Sequence, residues 1–195
     1  AYRAGKTVLQ QQIPMTLAET ASTFCEVLVT EAVLARTTDP EEELAVLETQ
    51  LNGASQVVVD IYSRYLFETE VFKRREKAEL SAEEICKIME DAQKEAFGES
   101  IDHRYLQKYM WTWKPHYYSP ELSFYNFPYT FGMLFGLGLY AVYRQQGSGF
   151  LSAYDDLLRS TGSATAADLA GRFDIDLRRP DFWAGSLAVV EGRIE

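Results

Sequence analysis

An apolar stripe at helical spacing in residues 14–36 is the feature that most restricts what this chain can fold into. Five apolar residues recur there at three- and four-residue steps: Leu17, Ala21, Phe24, Leu28 and Ala32. This spacing predicts a helix that begins after Thr16 and runs to about Arg36. No stretch alternates polar and apolar residues as a strand would, so the sequence predicts an all-α fold, with residues 1–195 as a single helical domain.

The same segment places three polar side chains on one face of the predicted helix. Glu19, Ser22 and Glu26 lie at positions i, i+3 and i+7, within roughly 60° of one another around a helix axis. One interpretation is structural, because Thr16 and Glu19 have the spacing of a capping box. The other is chemical: Glu19 binds a metal ion with at least two further ligands from elsewhere, and Glu26 and Ser22 support the site by hydrogen bonds.

Further helix signals follow along the chain. Pro40 is suited to the first position of a helical region that could extend to about Leu80, with an interruption or kink at Asn52-Gly53. A capping box at Ser81 predicts the start of another helix, which should end near Gly98.

Residues 101–129 are aromatic and irregular. Pro115 and Pro120 bracket a loop that presents His116, and an imidazole held this way can donate to a developing oxyanion. Tyr125 and Tyr129, at i and i+4, could donate phenolic hydrogens to the same site. The alternative is that all three are residues at the edge of the core with satisfied polar tips.

The next helix should be capped by Ser123 or begin nearer Phe127, because Pro128 is tolerated only near a helix start. Its apolar run, residues 131–143, is too short to cross a membrane and predicts a central buried helix. Three glycines should let another backbone approach it closely: Gly132, Gly136 and Gly138. Residues 150–195 show three shorter helical patterns.

Composition narrows the class of protein. A hydrophobic content of 47% indicates a globular chain, and a net charge of −10 argues against nucleic acid or an anionic membrane surface as partner. Cys25 and Cys86 both fall in apolar helical patterns, so buried free thiols in a reducing, cytoplasmic setting are expected. The opening A-Y-R-A-G-K reads as internal sequence, which suggests a fragment.

Two motifs carry a family resemblance. L-A-E-T-A-S-T-F-C-E resembles the segment that follows the HExxH helix in the oligoendopeptidase F branch of the thimet oligopeptidase family of zinc peptidases. P-H-Y-Y and F-Y-N-F-P-Y-T-F-G resemble that branch's C-terminal aromatic motif. The resemblance covers about residues 14–145 and implies the C-terminal part of a zincin-type oligopeptidase catalytic domain.

The resemblance also implies roles for individual residues. Glu19 matches the third zinc ligand and Glu26 the acid one helical layer below it. His116 matches a histidine that binds the substrate carbonyl or its tetrahedral intermediate, and Tyr125 and Tyr129 match tyrosines of that site.

This chain has no HExxH, which in the family lies just upstream of the matching segment. We therefore expect the chain alone to be inactive. Its expected partners are short peptide substrates and the remainder of the catalytic domain, and the fragment could self-associate through exposed apolar surface. The alternative is a non-catalytic acidic helical module for binding or regulation. The peptidase hypothesis predicts that Glu19 and His116 converge within about 10 Å, and the alternative predicts that they do not.

Overall fold

A computed structural model describes residues 2, 4–121 and 124–194 and confirms the all-α fold. The described residues form no β-strand, apart from one isolated bridge between Thr161 and Ala164. The described part of the chain contains ten α-helices in this order: α1 Met15–Ala18, α2 Thr20–Leu34, α3 Pro40–Ser55, α4 Ile61–Arg75, α5 Ala82–Phe97, α6 Met110–Trp113, α7 Phe127–Gln146, α8 Gly149–Ser160, α9 Ala166–Gly171 and α10 Pro180–Glu191. A π-helix, Gln56–Asp60, lies between α3 and α4.

The chain divides into two compact units. The first unit comprises residues 1–51 and 131–195, and the second comprises residues 52–130. Helix α7 supplies the centre of the first unit's core with three side chains that are almost completely buried: Phe135, Leu137 and Leu139. The prediction of a central buried helix is therefore confirmed. None of the helices that the structure describes is long and apolar enough to traverse a bilayer.

Gly132 and Gly136 of α7 permit a close approach of Glu19 and α2, as the sequence predicted, whereas Gly138 faces the ring of Phe182 and not a backbone. A Cβ atom placed on Gly132 would lie 2.9 Å from the Cβ of Glu19, and one on Gly136 would lie 2.9 Å from the Cβ of Thr23. Real Cβ atoms do not approach this closely, so the two helices can pack at this distance only where α7 lacks side chains.

The second unit is built on α4 and α5. Phe67 of α4 and Ile88 and Met89 of α5 are each at most 3% exposed and belong to one apolar cluster. The predicted capping box at the start of α5 is present: the Ser81 hydroxyl accepts from the Glu84 backbone N–H, and the Glu84 carboxylate accepts from that of Ser81. The reciprocal bonds satisfy two donors that the helix end leaves unpaired.

Three local predictions need correction. Thr16 and Glu19 form no capping box: Pro14 is the N-cap of α1 without a side-chain bond, and Glu19 lies between α1 and α2. Helix α3 continues through Asn52-Gly53, and the irregularity comes afterwards, as the π-helix. Cys25 is exposed.

Helix boundaries shift by a few residues from the predicted ones. Helix α2 ends at Leu34, short of the predicted position, and the helical region that begins at Pro40 ends at Arg75. Helix α7 begins at Phe127, which agrees with one of the two predicted starts, while Ser123 lies outside the described residues.

Candidate functional site

The loop before α7 holds His116 in a defined backbone conformation. Pro115 opens a single 3₁₀ turn, Pro115–Tyr117, and the His116 carbonyl accepts a 2.8 Å hydrogen bond from the backbone N–H of Phe124. Phe124 has a φ of 60°, in the left-handed region that a bulky side chain seldom adopts. Its ring packs against Phe72 and Tyr117, which stabilises this strained conformation next to the site.

The second unit brings the three predicted aromatic site residues together. The ring of His116 lies 5.0 Å from that of Tyr125 and 5.7 Å from that of Tyr129, measured between centroids. The Tyr129 hydroxyl is 3.3 Å from His116 Nε2, within hydrogen-bonding distance. The described residues therefore form a cluster of one imidazole and two phenols.

The electrostatic surroundings of His116 favour its neutral form. Burial lowers the pKa of the imidazole, and the positive charges of Arg64 and Lys114 lower it further. Nδ1 is buried, and no described residue bonds to it. A neutral imidazole keeps one N–H donor, so the cluster can present uncharged donors near neutral pH.

A buried polar network lies beside this cluster. Arg64 Nη1 donates to Asn126 Oδ1 at 3.3 Å, Asn126 Nδ2 donates to the Glu68 carboxylate, and Arg64 also pairs with Asp60. Burial raises the pKa of Glu68, although the bonds from Asn126 and the charge of Arg64 oppose the shift. Tyr117 is also buried, and its pKa is raised by burial and by the charge of Glu68.

Sequence reasoning missed this network. Asp60, Arg64 and Glu68 recur every four residues within an otherwise apolar stretch, which places all three on one face of a buried helix. That pattern could have identified Asp60, Arg64 and Glu68 as members of one buried polar network. The role of Asn126 depends on a partner about 60 positions earlier in the chain and has no local signal.

Glu19 lies in the first unit, at the junction of α1 and α2. Its side chain is exposed, and its Oε2 accepts a 2.8 Å hydrogen bond from the hydroxyl of Ser22. Glu26, also exposed, accepts a 3.4 Å bond from Gln50 Nε2. Ser22 therefore bonds to Glu19, whereas Glu26 bonds to α3, and their support of a metal site stays a prediction.

The described residues do not by themselves form a zinc site. No group of three or more His, Cys, Asp or Glu side chains among them is placed to hold a metal ion. Glu19 could contribute one carboxylate, and a zinc site requires at least three protein ligands. Glu19 belongs to the first unit and His116 to the second, and their convergence stays a prediction.

The second unit also contains an apolar cavity of about 380 Å³, which the sequence did not reveal. Aromatic residues next to the candidate site form part of its wall: Tyr117, Tyr118 and Phe124. These residues lie between His116 and Tyr125 in the sequence, so the same segment of the second unit contributes to the cavity wall and to the polar cluster.

Two solved structures share this fold. A candidate peptidase from Chlamydophila abortus superposes with a TM-score of 0.85 at 23% identity, over 99% of this chain and 32% of that one. The oligoendopeptidase-F from Enterococcus faecium gives a TM-score of 0.81 at 22% identity, over 95% of this chain and 35% of that one. The chain thus spans about a third of the length of either structure. No match was found among curated proteins.

The all-α fold is therefore the one found in these two structures. The family model for peptidase family M3 matches residues 3–189, and the chain belongs to that family. The resemblance inferred from the two sequence motifs is confirmed.

Proposed function

We propose that this chain is part of a zinc-dependent metalloendopeptidase that hydrolyses short peptides. Family membership supports a peptidase, and the cluster of His116, Tyr125 and Tyr129 is the observation that carries the assignment. In the proposal these side chains bind the scissile carbonyl and stabilise the oxyanion that develops on it. Two free thiols and the absence of any disulfide among the described residues fit a cytoplasmic location.

Zinc would polarise the scissile carbonyl and lower the pKa of its bound water. Glu19 is the proposed zinc ligand of this chain, with Ser22 orienting its carboxylate and Glu26 nearby on the same helix. The other ligands and the general base would come from an HExxH segment outside this sequence. Without that segment, the chain alone should not cleave peptides.

The first test measures oxyanion stabilisation in the full-length protein with a quenched fluorogenic peptide. His116→Ala should lower kcat by about 10²-fold, the usual cost of one oxyanion donor, with a smaller change in KM. His103→Ala is the matched control, because His103 is exposed and its ring bonds the carbonyl of Gly98, away from the cluster of His116. Equal activity of both variants would contradict the assigned role of His116.

The second test addresses the metal. Glu19→Ala in the full-length protein should lower zinc content, measured by atomic absorption after dialysis, and abolish turnover. Glu48→Ala, on the exposed surface of α3, is the control. Full zinc content and turnover in Glu19→Ala would show that Glu19 is not a ligand. A full-length protein without peptidase activity would favour a non-catalytic binding module.

A further inference from the structure

Three polar side chains of the second unit are buried to a degree that polar groups seldom reach. Arg64 is 3% exposed, Glu68 4% and Asn126 0%. Burying charged groups costs several kcal/mol per ion unless they are paired and hydrogen-bonded. Apolar residues of similar size would often be as stable or more stable at such positions. The presence of these three polar side chains would be explained if their hydrogen bonds fix a local conformation that apolar residues could not fix.

Asn126 is the link in that arrangement, and both ends of its amide are used. The carbonyl oxygen accepts from Arg64 and the amino group donates to Glu68. The two partners have opposite hydrogen-bonding character, so they fix the orientation of the amide. Leucine would lose both bonds, and aspartate would place a carboxylate against the carboxylate of Glu68.

The backbone of Asn126 belongs to the turn that carries the candidate site. Tyr125 directly precedes Asn126 in the chain. The backbone carbonyl of Asn126 accepts a 3.2 Å hydrogen bond from the backbone N–H of Tyr129. Holding the Asn126 side chain therefore fixes the segment from which both tyrosines project. The guanidinium of Arg64 is in turn held in place by its ion pair with Asp60.

We propose that Arg64 and Glu68 are positioning residues that act through Asn126 to hold Tyr125 and Tyr129 against His116. This inference rests on the proposed function in assigning the three aromatic side chains to the reacting site. Two buried side chains of α4 thereby fix, through Asn126, the segment that carries both tyrosines. Preorganised donors of this kind cost no reorganisation when charge develops.

The electrostatics agree with the geometry. Burial lowers the pKa of His116 most, and the nearby positive charges of Arg64 and Lys114 lower it further. The groups that act on Glu68 are Arg64 and Asn126. Arg64 therefore contributes to the position of the cluster and to the charge around it.

NMR spectroscopy of the 195-residue chain tests the proposal without requiring peptidase activity. The chain has two histidines, His103 and His116, so the imidazole signals are simple to assign. In the wild-type chain, the His116 ring should show NOEs to the rings of Tyr125 and Tyr129, given their separations of 5.0 and 5.7 Å. At a pH where both carboxyl groups are ionised, Asn126→Asp should abolish these NOEs because the two carboxylates repel.

Adding Glu68→Gln to Asn126→Asp should restore the NOEs. The new carboxylate then accepts from both Arg64 and the glutamine amide, and the net charge of the network equals that of the wild type. In the full-length protein, Asn126→Asp should lower kcat at least about tenfold more than it changes KM, and the double variant should recover most of this loss. A network that only stabilises the fold would lower the midpoint of unfolding but leave the NOEs of the folded chain unchanged.

If the Asn126→Asp variant does not fold, Arg64→Lys tests the same positioning role. Lysine keeps the positive charge but lacks the planar fork that reaches Asp60 and Asn126 together. The NOEs should weaken while the pKa of His116 stays lowered, and Arg104→Lys, at an exposed arginine paired with Asp102, is the control. Unchanged NOEs in a folded Arg64→Lys or Asn126→Asp variant would overturn the proposal. Loss of the NOEs in a protein without peptidase activity would support the network and refute only the proposed function.

Discussion

Replacing Gly136 with alanine should weaken the contact between α2 and α7. A Cβ on Gly136 would lie 2.9 Å from the Cβ of Thr23, 3.0 Å from its Cγ2 and 3.4 Å from the backbone nitrogen of Phe24. Carbon atoms pack best about 3.5 to 4.0 Å apart, so the helices would have to separate locally by roughly 0.6 Å. The Thr23 Cβ is fixed to the backbone, and no change of rotamer can relieve that contact.

The expected loss of stability follows from two opposing effects. Alanine in place of glycine within a helix usually adds about 0.5–1 kcal/mol to the free energy of unfolding. Extra carbon in a close-packed contact costs about 1–3 kcal/mol. Gly136→Ala should therefore lower the free energy of unfolding by about 1–2 kcal/mol.

Gly185→Ala is the matched control. Gly185 lies within α10 of the same unit, is exposed, and a Cβ placed on it would meet no atom within 4 Å. It should gain about 0.5–1 kcal/mol, so the two variants should differ by about 2 kcal/mol. In urea unfolding followed by circular dichroism, this difference separates the midpoints by roughly 1 M. Equal midpoints for Gly136→Ala and Gly185→Ala would refute the close-contact argument.

Three further perturbations have defined outcomes. Ser81→Ala should cost about 1 kcal/mol by removing the capping box of α5, measured by urea unfolding. Gly162→Ala should destabilise more strongly, seen as a lower thermal midpoint, because Gly162 has a φ of 87° and a Cβ there would lie 2.5 Å from the carbonyl oxygens of Gln10 and Gln12. Burial raises the pKa of Glu68 in the folded protein above its ordinary value of 4.5. The stability that this shift contributes is present below pH 4.5 and is lost as the pH rises through the folded-state pKa. Because glutamine does not titrate, Glu68→Gln should become more stable relative to the wild type with rising pH, measured in a series of urea titrations.

The elements that sequence predicted well are those with local causes. Pro40 begins α3 because its fixed φ suits the first turn of a helix and its missing N–H is not needed there. Ser81 caps α5 through a bond to a residue three positions away. Gly132 and Gly136 could be interpreted because glycines buried in a helix leave room for a neighbouring segment to approach closely, although at Gly138 the ring of Phe182 takes that room.

The predictions that failed depended on competition between local signals and distant partners. Thr16 and Glu19 have the spacing of a capping box, but Glu19 instead ends α1 and accepts from Ser22. Asn52-Gly53 has poor helix propensity, yet propensity is a weak preference and the helix continues through it. The π-helix that follows has a tertiary contact, since the hydroxyl of Thr130 donates to the carbonyl of Val57 at 2.7 Å.

The candidate site shows the same difference between residues with local sequence signals and residues that depend on tertiary contacts. His116, Tyr125 and Tyr129 were proposed from sequence on their spacing and the flanking prolines, but Tyr125 lies before α7 and only Tyr129 belongs to that helix, so the expected shared helix face is wrong. The residues around them were not proposed, because Arg64 meets Asn126 only through the tertiary fold. Local patterns therefore indicate the polar side chains of this cluster more readily than the buried residues that hydrogen-bond beside it.

Arg64 affects both the position of the turn that carries the two tyrosines and the protonation of His116. Burial and two nearby cations keep the pKa of His116 low, so protonating it would place a third positive charge beside Arg64 and Lys114. The same guanidinium holds the turn that carries the tyrosines through Asn126. The two effects have different requirements, since the first needs only a positive charge and the second needs the fork of hydrogen-bond donors. Lysine at position 64 would therefore keep the imidazole neutral while releasing the turn, so protonation and positioning at one buried residue can be measured separately.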